Sequence, residues 1–195
     1  MSSQSAHPFD ERIKSHKGYG LIQLVHGTGK GKTTAALGQA IRCAGSGRRV
    51  AIVYFDKGGT DHYHERAMLD EIDAIDFFAT GRDRIDPVTG RFDFSIQDVD
   101  KREAQRGLEI ARDHLTSGVY DLVVLDEINS TVDLGMLAIG HVVEVIDGKS
   151  PKVELILTGR DPHQELIKRA HLVTKMSPER HYFYSGVDAR EGLDY

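Results

Sequence analysis

Positions 21–44 read LIQLVHGTGKGKTTAALGQAIRCA: an unbroken apolar run, a turn dense in glycine and lysine, then a helical stripe. Few folds accommodate all three in immediate succession. A strand that turns tightly into a helix sets the helix N-terminus over the strand's end, where free N–H groups and partial positive charge attract an anion. Gly27, Gly29 and Gly31 let the backbone N–H groups converge, Lys30 and Lys32 add charge, and Thr33 carries a hydroxyl suited to Mg²⁺. Residues Gly27, Thr28, Gly29, Lys30, Gly31, Lys32, Thr33 and Thr34 are therefore expected to cradle a polyphosphate. Ala36, Leu37, Ala40, Ile41 and Ala44 form the stripe that should pack on a sheet, and Gly45-Ser46-Gly47 should end the helix. A phosphate loop of the common kind has four residues between its first glycine and the Gly-Lys pair. Here His26 holds that first position, so the loop is one residue short.

The rest of the chain repeats the strand-then-helix theme. Short apolar runs recur at 21–26, 50–55, 75–79, 121–125, 153–158 and 172–175, of the kind buried on both faces of a parallel sheet. Helical patterns fall at 62–72, 100–115, 135–146 and 162–170. Asp100 and Glu103 stand in capping-box spacing, and Asp161 precedes a proline at a first helical position. Alternation of this sort predicts an α/β fold, P-loop NTPase-like and specifically RecA-like, with a mostly parallel sheet of about six strands and helices on both faces. Residues 1–17 are polar without apolar period, a tail or a lid, and 18–195 are expected to form a single domain.

Composition narrows the function. Thirty acidic against 25 basic residues, a formal net charge of −5, argue against gripping a nucleic acid backbone. Cys43 is the only cysteine, so neither a disulfide framework nor a thiolate zinc cluster is expected. No stretch approaches the ~18 apolar residues of a membrane span, and the polar start lacks a signal peptide's apolar core. A cytoplasmic protein acting on small molecules is the expectation.

YDLVVLDEIN, at 120–129, is an apolar strand ending in Asp126 and Glu127, and ligands of such sheets collect beyond the carboxyl ends of strands. With Thr33 these carboxylates could hold Mg²⁺ directly or through water. LILTGRDP delivers Arg160 to the same edge, where it could reach phosphate or cap a helix; Arg42, two turns along the first helix, is equally open. Phe92 and Phe94 flank an aspartate in the irregular region 80–97 and read either as a short edge strand with both rings inward or as a ligand-facing loop.

Taken together, HGTGKGKTTAALGQAIRCAGSGRRVAIVYFDKG, YDLVVLDEIN, LILTGRDPHQELIKRAHLVTKM and the closing HYFYSGVDAREGLDY resemble the P-loop corrinoid adenosyltransferases of cobalamin biosynthesis and salvage. The short loop is that family's own spacing. The resemblance implies transfer of the 5′-deoxyadenosyl group of ATP to the cobalt of cob(I)alamin or cob(I)yrinic acid a,c-diamide, with triphosphate leaving. It implies that ATP meets the loop with Arg42 and Arg160, that Lys32, Thr33 and Glu127 are catalytic, and that Thr33, Asp126 and Glu127 hold Mg²⁺. It also implies that Phe92 and Phe94 face the corrin, that a reduced flavoprotein donates electrons, and that the protein is a homodimer. Two other classes compete: an ordinary P-loop ATPase in which Glu127 orients water, and a non-catalytic nucleotide- or corrinoid-binding regulator.

Overall fold

A computed structural model describes residues 10–59, 62–84, 93 and 95–194. Its frame is one sheet of six strands, β1 (Ile22–His26), β2 (Val50–Tyr54), β3 (Ile75–Ala79), β4 (Leu122–Asp126), β5 (Glu154–Gly159) and β6 (Leu172–Lys175). All pairings are parallel and the spatial order is β3-β2-β4-β5-β1-β6. The expected α/β architecture is thus what the chain adopts.

Alternation along the strands explains why helices cover both faces. Ala51, Val53 and Phe55 face one layer with Val123, Leu125, Leu155 and Leu157, whereas Val50, Ile52 and Tyr54 face the other with Leu122, Val124 and Ile156. The first layer is closed by α3 (Asp98–Thr116), α5 (Ile139–Asp147) and α6 (Gln164–Arg169), and the second by α1 (Lys32–Gly45) and α2 (Glu65–Leu69). Strands buried on both faces read as continuous apolar runs, and β2 and β4 are buried at every residue. β6 is the exception, an exposed edge strand. The short α4 (Ile128–Asp133) follows β4 directly. Among the described residues no helix is long and apolar enough to cross a membrane.

Several local expectations are corrected. On α1 the inward residues are Ala36, Ala40 and Cys43, spaced four and three apart, and Ile41 is turned outward with 52% of its surface exposed. The cap of α3 is Gln97: its side chain accepts from the backbone of Asp100, whose carboxylate takes the Gln97 N–H at 2.7 Å. Asp100 is therefore the returning partner of a capping box, and the helix starts two residues before it. α6 is capped by His163, which accepts from Glu165 N at 3.2 Å, in place of Asp161. The helix expected from 135 starts at Ile139 because the residues before it are used by α4 and its exit. Near the start of the chain, Arg12 donates to Lys168 O at 2.7 Å and Ala170 O at 3.1 Å, seating residues 10–13 on the end of α6.

Candidate active site

Parallel register brings His26, Tyr54, Ala79, Asp126, Gly159 and Lys175 to one edge of the sheet, and the loop between β1 and α1 lies over that edge. Two neighbours pin the loop: Gly27 N donates to Arg160 O and Gly29 N to Met176 O, both at 2.9 Å. Gly27 has a φ of 108°, and a Cβ there would lie 2.4 Å from Met176 O, so no other residue allows the loop to approach the end of β6 this closely. The segments after β5 and β6 therefore set the loop's shape.

Lys32 opens α1 and its ammonium donates to Gly29 O at 3.1 Å, a bond within its own loop. Burial is the main influence on it and pushes its pKa below the ordinary lysine value. An anion delivered to the loop would offset that cost. Thr28, Lys30 and Thr34 stand at the exposed rim, with Thr33 half-buried beneath them.

Thr33 points at Asp126, its hydroxyl 3.2 Å from Oδ2. Asp126 is 1% exposed, and its other oxygen accepts the Thr158 hydroxyl at 2.6 Å. The same Thr158 oxygen accepts Glu127 N at 2.9 Å, so one buried threonine orients both carboxylate residues. Glu127 has φ 64° and ψ 15°, a left-handed conformation that costs a residue with a Cβ about 1–3 kcal/mol. Its carboxylate accepts Ser130 Oγ at 2.6 Å, and that hydroxyl in turn accepts Arg160 N at 3.0 Å. A hydroxyl and two carboxylates are the hard oxygen donors that suit Mg²⁺. Among the described residues there is no cluster of three or more His, Cys, Asp or Glu able to hold a metal unaided. An ion bound here would complete its shell with phosphate and water.

Sequence reasoning missed Lys57, two residues past the boundary of Phe55 at the carboxyl end of β2, although that position alone marks it. Its ammonium lies 2.5 Å from Asp126 Oδ2 and 3.0 Å from Thr33 Oγ1. Burial would lower its pKa, and the opposing charges of Asp126 and then Glu127 outweigh the burial and hold it above the usual value. The closing segment was equally hidden: Lys30 donates to Tyr182 Oη at 3.1 Å and is ion-paired with Asp194, to which Tyr182 also donates. Those two donors, Lys30 first, hold the Asp194 carboxyl far below the ordinary range. Between loop and tail opens a cavity of 370 Å³ lined by Thr28, Lys30, Arg160, Tyr182, Phe183 and Asp194, among others.

Arg42 is not brought to this place. It lies on the later half of α1 and lines a larger cavity of 730 Å³ with Tyr19, Gln23, Gln39 and Glu154, at the amino ends of the strands. That cavity is lined by none of residues 27–34, whereas the smaller one is lined by Thr28 and Lys30 of the loop. Phe92 and Phe94 lie outside the described residues. Of their described neighbours, Asp93 O and Ser95 O accept Arg84 Nη1 at 3.0 and 2.7 Å, and Arg82 pairs with Asp93 and Asp100 at 2.8 and 3.0 Å.

Comparison with known proteins agrees with this geometry. Residues 18–195 match the family described as ATP:corrinoid adenosyltransferase BtuR/CobO/CobP. The chain is 38% identical over 183 residues to the uncharacterized protein all2391 of Nostoc sp., covering 87% of this chain and 47% of that one, so it spans about half of that relative's length. It is 33% identical over 178 residues to the corrinoid adenosyltransferase of Escherichia coli K12, covering 90% of this chain and 86% of that one. It is 34% identical over 183 residues to the corrinoid adenosyltransferase CobA of Salmonella typhimurium, again covering 90% and 86%.

Proposed function

Because the chain belongs to the ATP:corrinoid adenosyltransferase family, we propose that it transfers the 5′-deoxyadenosyl group of ATP to the cobalt of a reduced corrinoid, cob(I)alamin or cob(I)yrinic acid a,c-diamide. The observation that carries this is the presence, at one sheet edge, of a half-buried Lys32, bonded only within its loop in the contacts described above, and the hydroxyl-anchored carboxylates of Asp126 and Glu127. The electron pair on cobalt(I) forms the new bond to C5′ as the C5′–O bond breaks, and the pair from that bond leaves with triphosphate. Since cobalt is the nucleophile, the protein supplies no base. Its work is to fix C5′ against cobalt and to receive the charge of the departing triphosphate.

Lys32 and the N–H groups at the start of α1 meet the triphosphate, and Lys30 and Arg160 reach it from the cavity wall. Thr33, Asp126 and Glu127 would hold Mg²⁺, which when bound supplies further neutralisation of the leaving group. Thr158 fixes the Asp126 carboxylate and the Glu127 backbone, and Ser130 holds the Glu127 carboxylate. Phe92 and Phe94 press on the lower corrin face and favour loss of the axial base, so that a reduced flavoprotein can deliver an electron to cobalt(II). The enzyme works as a cytoplasmic homodimer.

The test is the product. With ATP, Mg²⁺ and chemically reduced cobalamin the expected result is triphosphate and a light-sensitive alkylcobalamin. Formation of ADP and phosphate in the absence of corrinoid would replace this reading with that of an ATPase in which Glu127 orients water, and binding without turnover would leave a regulator.

A further inference from the structure

Lys57 stands where a divalent ion joining Thr33 to Asp126 would have to stand. Its ammonium touches both Thr33 Oγ1 at 3.0 Å and Asp126 Oδ2 at 2.5 Å, and those two oxygens are themselves 3.2 Å apart. A cation of one kind already occupies the position suited to a cation of another.

The backbone goes to unusual lengths to deliver it. Asp56, just before, is held at φ 53° with its carboxylate accepting Arg84 Nε at 2.7 Å. Gly58, just after, leaves no room for a side chain, since a Cβ there would lie 2.0 Å from Gly81 O. Lys57 N donates to Thr80 O at 2.8 Å, and Lys57 O accepts Arg66 Nη2 at 2.6 Å. Arg66 is in turn stacked on Tyr63 and Tyr54, its guanidinium 4.1 and 4.8 Å from their ring centres. A buried ion pair kept for stability gains little over an apolar pair of the same size. Strain at Asp56 and close packing at Gly58 instead mark a backbone held to present a working group, and the four-carbon stem of Lys57 is the part that can change partner.

Resting on the reading of this edge as a polyphosphate and metal site, we propose that Lys57 is its resident cation: it occupies Asp126 and Thr33 until a polyphosphate arrives, then turns to the phosphates and yields both oxygens to the metal. The consequence is ordered binding. Metal enters with the nucleotide and not ahead of it, because an ammonium and a divalent ion cannot share one carboxylate oxygen without repulsion. The exchange also keeps Asp126, almost without exposure, paired with a cation at every stage.

The experiment measures Mn²⁺ binding by electron paramagnetic resonance and tripolyphosphate binding by titration calorimetry, on the full chain without corrinoid. Wild type should bind Mn²⁺ only weakly alone and take it up as a ternary complex once tripolyphosphate is added. Lys57→Met, folded by circular dichroism, should bind Mn²⁺ alone about tenfold more tightly and metal-free tripolyphosphate about tenfold more weakly, the size expected for removing one charge at contact distance. Unchanged affinities in that variant would overturn the proposal. Should the variant not fold, the wild-type arm decides by itself, since tight Mn²⁺ binding without polyphosphate is incompatible with a resident ammonium. Neither arm involves turnover, so absence of alkylcobalamin formation would refute the enzyme reading while leaving this one standing or falling on its own data.

Discussion

Thr158→Val isolates the hydroxyl that joins the Asp126 carboxylate to the Glu127 backbone. The substitution keeps the branched shape of a fully buried side chain and deletes two hydrogen bonds, one donated to Asp126 Oδ1 at 2.6 Å and one accepted from Glu127 N at 2.9 Å. A hydrogen bond to a charged group contributes about 1.5–3 kcal/mol, and a buried N–H left without a partner costs about 1–3 kcal/mol. Asp126 retains Lys57 and Thr33, which places the expected loss in the lower half of that sum, about 3 kcal/mol. For a chain of this length about 2–4 °C is lost per kcal/mol, so the melting temperature should fall by roughly 6–12 °C. Differential scanning calorimetry of wild type, Thr158→Val and Thr158→Ser measures it. Serine keeps the hydroxyl and gives up a methyl group, so its loss should stay near 1 kcal/mol. A valine variant melting within about 2 °C of wild type, or a serine variant no better than valine, would show that the hydroxyl's two bonds do not carry this stability.

Lys32→Ala should abolish alkylcobalamin formation more completely than any substitution in the closing segment, measured by the product assay at saturating ATP. Glu127→Gln should raise the Mg²⁺ concentration needed for half-maximal rate and leave the fold intact; an unchanged titration curve would remove Glu127 from the metal site. Replacing Phe92 or Phe94 by Ala should depress the rate with enzymatically reduced cob(II)alamin far more than with chemically supplied cob(I)alamin, whereas equal losses accompanied by a lower melting temperature would mark them as packing residues. His114 lies between Phe78 and Tyr120, at 4.5 and 4.9 Å between ring centres, with a buried Nε2 that has no hydrogen-bond partner, and burial holds its pKa below the ordinary value. As pH falls below about 6.5 the unfolded chain takes up this proton before the folded one, so stability present at neutral pH is lost toward acid. His114→Phe should therefore flatten the fall in unfolding free energy between about pH 7 and 5, as read by urea denaturation, and a wild-type slope in that variant would place the acid sensitivity elsewhere.

What could be read before folding was whatever is local. The phosphate loop and the Asp126-Glu127 pair are contiguous motifs whose chemistry depends on immediate neighbours, and the six apolar runs were visible because strands buried on both faces leave no polar gaps. The bonds that Lys57, Thr158 and Ser130 make, and the Tyr182–Asp194 clasp, were not legible, because strand register and a long return of the chain assemble them, although the strand ends place Lys57 and Thr158 at the right edge. α4 is six residues long and begins after a left-handed Glu127, too short for a helical period to show. Ile41 was misplaced because a count of apolar residues ignores that one residue's step around a helix is about 100°. Arg42 illustrates the same limit at the scale of the site, since nearness in sequence to the loop carried it along the helix to the opposite end of the sheet.

The strand that leads into the phosphate loop precedes every other strand of the sheet in sequence and is among the last to gain neighbours. β1 hydrogen-bonds to β5 and β6 and to no earlier strand, so Ile22, Leu24 and Val25 have no sheet position until residues as late as Leu155 and Leu172 exist. Pairings this distant form slowly and leave apolar edges open in the meantime, which exposes a growing chain to aggregation and makes chaperones useful. A fragment ending before Glu154 would contain β2 paired with β4 and so Asp126 at a strand end, yet would leave β1 and the loop it carries with no strand to join.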